Sequence, residues 1–294
     1  MKALWKIALV LLAGGLAFIA LGLSLGANHR GLYINKYGLN LSDENMATAK
    51  LTATEKVTEI EIDIISANIH FIIADDYGLE IYNNNIVNFE YSINNGKLLV
   101  KEKESLSFNI FNFNWKEEYV NIYLPQDATI NSIVIRNTSG NLDATALKCE
   151  TLNVHQLSGN MKMSEIQASS ITVYNTSGDV TLNQVVAERF NINITSGNFR
   201  ALNFETKDLK AKTLSGDISI SGELNGNSDI SVTSGRVVLE LAGAEQDYNR
   251  NIKVTSGSVK INGKRDGAGH VDFKAANSLD ISVTSGSVKL TFSK

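Results

Sequence analysis
The dipeptide Ser-Gly recurs in one context along the second half of the chain: NTSGNL, QLSGNM, NTSGDV, ITSGNF, TLSGDI, VTSGRV, VTSGSV and VTSGSV. Its glycines are Gly140, Gly159, Gly178, Gly197, Gly216, Gly235, Gly257 and Gly286; the first five intervals are all 19 residues and the last two are 22 and 29. A period held this long marks an array of stacked units, each too small to bury its own apolar face.

Aligning the units on glycine shows what each buries. Apolar residues stand two and four positions later: Leu142/Ala144, Met161/Met163, Val180/Leu182, Phe199/Ala201, Ile218/Ile220, Val237/Leu239, Val259/Ile261 and Val288/Leu290. Spacing of two puts both residues of a pair on one face of a strand, and the Val/Ile content argues against a helix. Leu147, Ile166, Val185 and Phe204 follow at seven positions, and a second strand carries Leu152/Val154, Ile171/Val173, Phe190/Ile192 and Leu209/Ala211. Each unit is therefore expected to supply two short strands and two bends. The fold class is all-β, a parallel β-solenoid with coils about 4.8 Å apart, so that eight would extend roughly 38 Å. The glycines form the expected structural turn ladder, since glycine takes positive φ freely and neighbouring Ser, Asn or Asp bonds to local backbone. Polar inserts at 244–249 and 263–267 are expected to bulge as loops. A degraded copy, IEIDIISANIHF, places Ala67 in the glycine slot.

Ahead of the repeat lies an uncharged run, IALVLLAGGLAFIALGLSLGA, at residues 7–27. About 20 apolar residues span a bilayer, whereas the core of a cleaved signal is shorter. Lys2 and Lys6 precede the run, which favours an N-terminus inside and a C-terminal domain outside the cytoplasm. Cleavage at Ser24-Leu25-Gly26 is the competing reading. The expected organisation is a cytoplasmic stub at 1–6, a transmembrane helix at 7–27 and a spacer at 28–56. An irregular N-terminal part of the β domain occupies 57–131, and the regular solenoid 132–294. Cys149 is the single cysteine, so no disulfide within the chain and no cysteine-based zinc site can form. Beyond residue 27 the chain carries 25 basic and 31 acidic residues, a poor match for nucleic acid.

A membrane anchor, a Leu-Pro step before an apolar strand (YVNIYLPQDATINSIVIRNTSGNL) and serial T-S-G-[D/N]-apolar units together resemble the "putative adhesin" β-strand-repeat family. That family includes LiaG-like membrane-anchored proteins of cell-envelope-stress operons. The resemblance covers residues 57–294 and, loosely, the anchor. It implies a β-repeat domain in the cell envelope and brings no catalytic residue with it.

Several constellations invite chemistry. Asp179 and Asp217 share a slot two coils apart, roughly 9.6 Å from strand spacing, near the separation of an inverting carboxylate pair. The same column of Asn and Asp oxygens suits a hard cation in type, but only two of its eight members are carboxylates. Cys149 and His155 share a strand face but stand about 20 Å apart when extended. Thr138, Thr176, Thr195, Thr233, Thr255 and Thr284 form a column beside the serines, which strand propensity explains. In SFNIFNFNWKEEY, Phe111, Phe113 and Trp115 alternate with asparagines, so three rings share one face. They are the candidate contact residues for a ligand or partner, and a cap over the first coil is the competing role.

The reading is a non-enzymatic, membrane-anchored extracytoplasmic β-repeat protein, adhesin-like or accessory to envelope stress. Its expected partners are the membrane through 7–27 and a cell-wall component or envelope protein. No catalytic residue, metal or cofactor is expected. Two other classes stay open: an enzyme acting on polysaccharide, and a structural assembly through the solenoid ends, where Val288, Leu290 and Phe292 would form an uncapped final strand.

Overall fold
A computed structural model describes residues 5–6, 10–16, 32–35, 38–41, 47–53, 55–83, 89–103, 108–111, 117–266 and 268–293. They divide into two units, one drawn from 1–46 and 105–116, the other from 47–104 and 117–294.

The larger unit is the solenoid. In the coil that starts at Gly178, Val180, Leu182, Val185, Ala187, Phe190, Ile192 and Ile194 all point inward and are buried. The alternation changes phase between Leu182 and Val185, between Ala187 and Phe190, and again at the next glycine. Each coil thus has three inward runs and three corners, not the two strands and two bends expected. The first corner is a left-handed residue without glycine: Gln184 has φ 55°, and Ala146, Glu165 and Asn203 hold the equivalent place at 55°, 56° and 50°. Strands Met161–Ser177, Val180–Ser196 and Phe199–Ser215 lie parallel and in register, for example Ile171 beside Phe190 beside Leu209. Inside, Phe190 stacks on Phe199 at 5.9 Å and meets Phe204 edge-on at 5.1 Å. Fully burying a ring of this size contributes about 1.5–3 kcal/mol.

Stacking, as much as the turn, demands glycine. Gly178 has φ +131°, and a Cβ there would lie 2.1 Å from the carbonyl oxygen of Gly159 in the preceding coil. Ala67 opens this column. Its own carbonyl oxygen faces Gly140, 2.1 Å from where a Cβ would stand.

At the C-terminal end the coils leave sequence order. Strand Asn277–Ser293 pairs in parallel with Ile218–Ala242 on one side and with Tyr248–Ile261 on the other. The glycine column therefore runs Gly235, Gly286, Gly257. Val288 and Leu290 are 1% and 0% exposed inside the stack, so they form no uncapped last strand. The outer edge is Tyr248–Ile261, and the short strands Lys264–Asp266 and Gly269–Val271 pair antiparallel over its two ends. The column Leu209, Ser228, Leu279 ends in Arg250. Its guanidinium bonds to Glu245 and lies 5.9 Å from the Phe273 ring centroid. A charged side chain in an inward slot is affordable only where no further coil covers it, which is why the coil of Leu279 goes inside.

At the other end the coil around Ala67, strands Glu59–Ser66 and Asn68–Ala74, is regular and stacks beneath Thr129–Ser139 and Leu142–Thr145. Hairpins then close the stack. Lys97–Glu102 lies parallel to Glu59–Ser66 and is joined to Phe89–Asn94 through Asn95 and Gly96 at φ 53° and 74°. Tyr119–Pro125 lies parallel to Asn68–Ala74, and Tyr77–Asn83 and Ala47–Ala53 follow antiparallel. Part of the expected spacer, Ala47–Ala53, is therefore a sheet strand, and the irregularity expected over 57–131 comes from this antiparallel closure and not from the coil of Ala67.

The smaller unit is a three-stranded antiparallel sheet. Its central strand Leu32–Asn35 pairs with Gly38–Leu41 and with Phe108–Phe111. The expected spacer thus contains a hairpin whose four-residue strands are too short to show a period. Within the expected transmembrane run, residues 10–16 are helical and 7–9 and 17–27 lie outside the described residues. No helix among the described residues is long and apolar enough to cross a membrane.

Candidate functional site
The Asn and Asp column beside the glycines is a continuous hydrogen-bond ladder. Asn160 N–H donates to Asn141 Oδ1 at 2.9 Å, Asp179 N–H to Asn160 Oδ1 at 2.9 Å, Asn198 N–H to Asp179 Oδ1 at 2.8 Å and Asp217 N–H to Asn198 Oδ1 at 3.0 Å. It ends at Arg236, whose N–H and guanidinium both bond to Asp217, at 2.8 Å and 2.7 Å. Burial pushes the Asp217 carboxyl up, but the hydrogen bonds and charge of Arg236 outweigh it and hold the group below its ordinary value. Asp179 and Asp217 are thus engaged in joining coils.

Cys149 and His155 are not brought together. Cys149 is buried, and that burial pushes its thiol up to about 12. His155 stacks on Tyr174 at 4.6 Å on the outer face, beside Arg136 in a shallow groove of about 350 Å³. The threonine column is interrupted by Leu157 and Leu214, 54% and 51% exposed, so it is no uniform hydroxyl array. Among the described residues no group of three or more His, Cys, Asp or Glu could hold a metal ion. Phe111 ends the strand Phe108–Phe111, beside Leu32, while Phe113 and Trp115 lie outside the described residues.

The most organised set of polar side chains lies on the outer face of the N-terminal closure. Lys50, Glu80, Asn121 and His70 are successive neighbours across four strands. Glu80 is the hub. It accepts from Lys50 at 2.8 Å, from the Tyr123 hydroxyl at 2.7 Å and from Asn121 Nδ2 at 3.2 Å. The Asn121 amide, oriented by that donation, turns Oδ1 to His70 Nδ1 at 3.0 Å. An amide oxygen only accepts, so His70 donates through Nδ1. Tyr82 stacks on Tyr119 at 5.0 Å, and the His70 ring lies 6.3 Å from Tyr119.

The electrostatics follow the bonding. Lys50, then Tyr123 and Asn121, hold the Glu80 carboxyl below its ordinary value against burial, and Glu80 raises Lys50 in return. Burial first, then the Glu80 carboxylate, pushes the Tyr119 and Tyr123 hydroxyls up. A carboxylate so engaged is a weak base. What the patch presents is three half-buried tyrosines, a histidine and an amide, all held in place. Tyrosine gives amphipathic contact area at low entropic cost, a property of recognition surfaces. Sequence alternation alone points Tyr119, Asn121 and Tyr123 outward, but their neighbours depend on which strands pair, and that was not visible.

No curated protein matches the chain. A solved structure of a "putative adhesin" from Bacteroides fragilis aligns with a TM-score of 0.55 at 16% identity, covering 84% of this chain and 98% of that one. A "putative lipid binding protein" from Parabacteroides distasonis gives 0.42 at 14% identity over 86% and 98%. A "putative cell adhesion protein" from Clostridium sporogenes gives 0.29 at 14% over 85% and 100%. The first of these shares the fold. The model of the family described as Toastrack DUF4097 matches residues 57–293, and the chain belongs to that family.

Proposed function
We propose that the chain is a non-enzymatic, adhesin-like binding module of the cell envelope, anchored through residues 7–27 with its β domain outside the cytoplasm. The observation that carries this reading is the tyrosine patch around Glu80. Its rings are outward and half-exposed; Tyr123 is held by its hydrogen bond to Glu80, and Tyr82 and Tyr119 are held against each other by stacking, which limits the ordering cost of binding. The carboxylates that sequence spacing would offer to a polysaccharide-cleaving enzyme are engaged in the ladder, which favours binding over catalysis. The apolar run 7–27 and its flanking lysines support the anchor, and a wall component or envelope protein is the partner class.

The test is co-sedimentation of the detergent-solubilised chain with purified cell-wall sacculi. Wild type is expected in the pellet, with Tyr82→Ala/Tyr119→Ala left in the supernatant while still folded. Trp115→Ala in parallel assigns any contribution of the Phe111–Phe113–Trp115 run. Sacculi that retain no wild-type chain, or that retain the double variant equally, would exclude the patch as a wall-binding surface.

A further inference from the structure
We infer that the C-terminal coil, Asn277–Ser293, is an exchangeable element, and that its slot accepts the same strand from a second copy of this chain. The slot lies between Ile218–Ala242 and Tyr248–Ile261, both parallel to the inserted strand. It is lined on each side by backbone that pairs with any strand of matching pattern, and three segments of the chain nearly match. DISVTSG occurs at 229–235 and again at 280–286, and VTSGSVK at 254–260 and again at 283–289. Identical segments in neighbouring coils make the local pairing indifferent to which chain supplies the strand.

Order of synthesis adds to this. The slot's far wall, Tyr248–Ile261, precedes the inserted strand in the chain, so the slot stands open until residue 293 is available. Leu279, Ile281, Val283, Val288 and Leu290 are all buried there, which makes the open slot a long apolar groove with two unpaired strand edges. The connector from 262 to 276 has 15 residues. Once Lys264–Asp266 and Gly269–Val271 release their antiparallel pairing with Tyr248–Ile261, the extended connector reaches on the order of 50 Å, far beyond the roughly 5 Å between coils. A connector of that reach delivers the strand to its own slot or to that of a neighbour. Exchange of an identical element is a low-cost route to a dimer because every native contact is remade. The occupant is another copy of this chain because the strand carries the DISVTSG segment of one wall and the VTSGSVK segment of the other, in register with both.

The test uses two full-length chains with different tags, both carrying Cys149→Ala, one Ser231→Cys and the other Ser282→Cys. Ser231 and Ser282 are in register, and their hydroxyl oxygens lie 3.2 Å apart. Cys149 shares its inward column with Ala168 and Ala187, so alanine fits there. The Ser231→Cys/Ser282→Cys double variant reports whether the substitutions preserve the pairing, by forming its bond within one chain. The two single variants are unfolded together, refolded at rising concentration and oxidised, and the dimer fraction is isolated. Exchange predicts a covalent link between the two tags that grows with concentration. If the double variant closes within its own chain and the mixed dimers carry no link, or if no dimer forms at any concentration, the inference is overturned.

Discussion
The middle of the solenoid and its C-terminal end are built from nearly the same residues and behave differently. From Gly140 to Gly235 each coil lies against its neighbour in sequence, most inward slots are repeated, with Ser228 opposite Leu209 and Gly222 opposite Phe204 as exceptions, and the Asn/Asp ladder is unbroken. Past Arg236 the ladder stops, the slot after glycine holds Ser258 and Ser287, and the last coil inserts between two earlier ones. The repeated residues set the shape of a coil, whereas the order of coils is set by residues that do not repeat. Arg250, bonded to Glu245 under Phe273, can only be an end; Leu279 can only be inside. Ala67 plays the corresponding part at the other end, opening the glycine column.

The largest effect that would break this comparison is expected in the middle. Gly178→Ala combines an unfavourable φ with a Cβ 2.1 Å from the Gly159 oxygen, so a loss of more than about 4 kcal/mol is expected in denaturant unfolding. Ala67→Gly at the end of the same column should cost less than about 1 kcal/mol. Next comes Leu279→Arg, which places a second charge in the interior column and should cost about 3–5 kcal/mol. Arg250→Leu should cost far less, because it removes the charge from an end. Smaller again, Asp179→Ala takes one acceptor from the ladder and leaves the Asn198 N–H unbonded, for about 0.5–1.5 kcal/mol. An equal loss from Ser258→Ala, where the ladder has ended, would erase the distinction between the regions.

The smallest effect concerns the tyrosine patch and pH. The Glu80 carboxyl sits below its ordinary value of 4.5 in the folded chain. Its stabilising contribution is therefore complete above pH 4.5 and is lost as pH falls through the lower folded value. Glu80→Gln should flatten that acidic limb of the stability curve and leave neutral pH nearly unchanged. An unaltered limb would show that Lys50, Tyr123 and Asn121 do not hold the carboxylate as described.

Much of the coil was legible from sequence because identical slots reinforce one another. The glycine column, the paired inward residues after it and the later apolar positions are all found where spacing put them. The extra corner was not, because Ala146, Glu165, Gln184 and Asn203 take left-handed conformations that their identities do not announce. The inserted coil had a signal that spacing ignores: Arg250 is the one charged residue in a column that otherwise holds Ile133, Leu152, Ile171, Phe190, Leu209, Ser228 and Leu279. Asn95-Gly96 between alternating apolar runs is a hairpin signal that stands outside the period of the coils. The Glu80 patch was beyond reach, since it joins Lys50, Glu80, Asn121 and His70 through pairings that only the closed stack defines.

The central claim is that Asn277–Ser293 lies between the coils of Gly235 and Gly257, and disulfide trapping within one chain tests it directly. Ser231 and Ser282 are register neighbours, and Lys253 lies on the far side of Ser282. Ser231→Cys/Ser282→Cys should close readily, as should Ser282→Cys/Lys253→Cys. Ser231→Cys/Lys253→Cys should stay open, with two coil spacings, about 9.6 Å, between the backbones. The buried thiol of Cys149, pushed up to about 12, does not compete. Ready closure of Ser231→Cys/Lys253→Cys would mean that the coils stack in sequence order and that Asn277–Ser293 is not inserted between them.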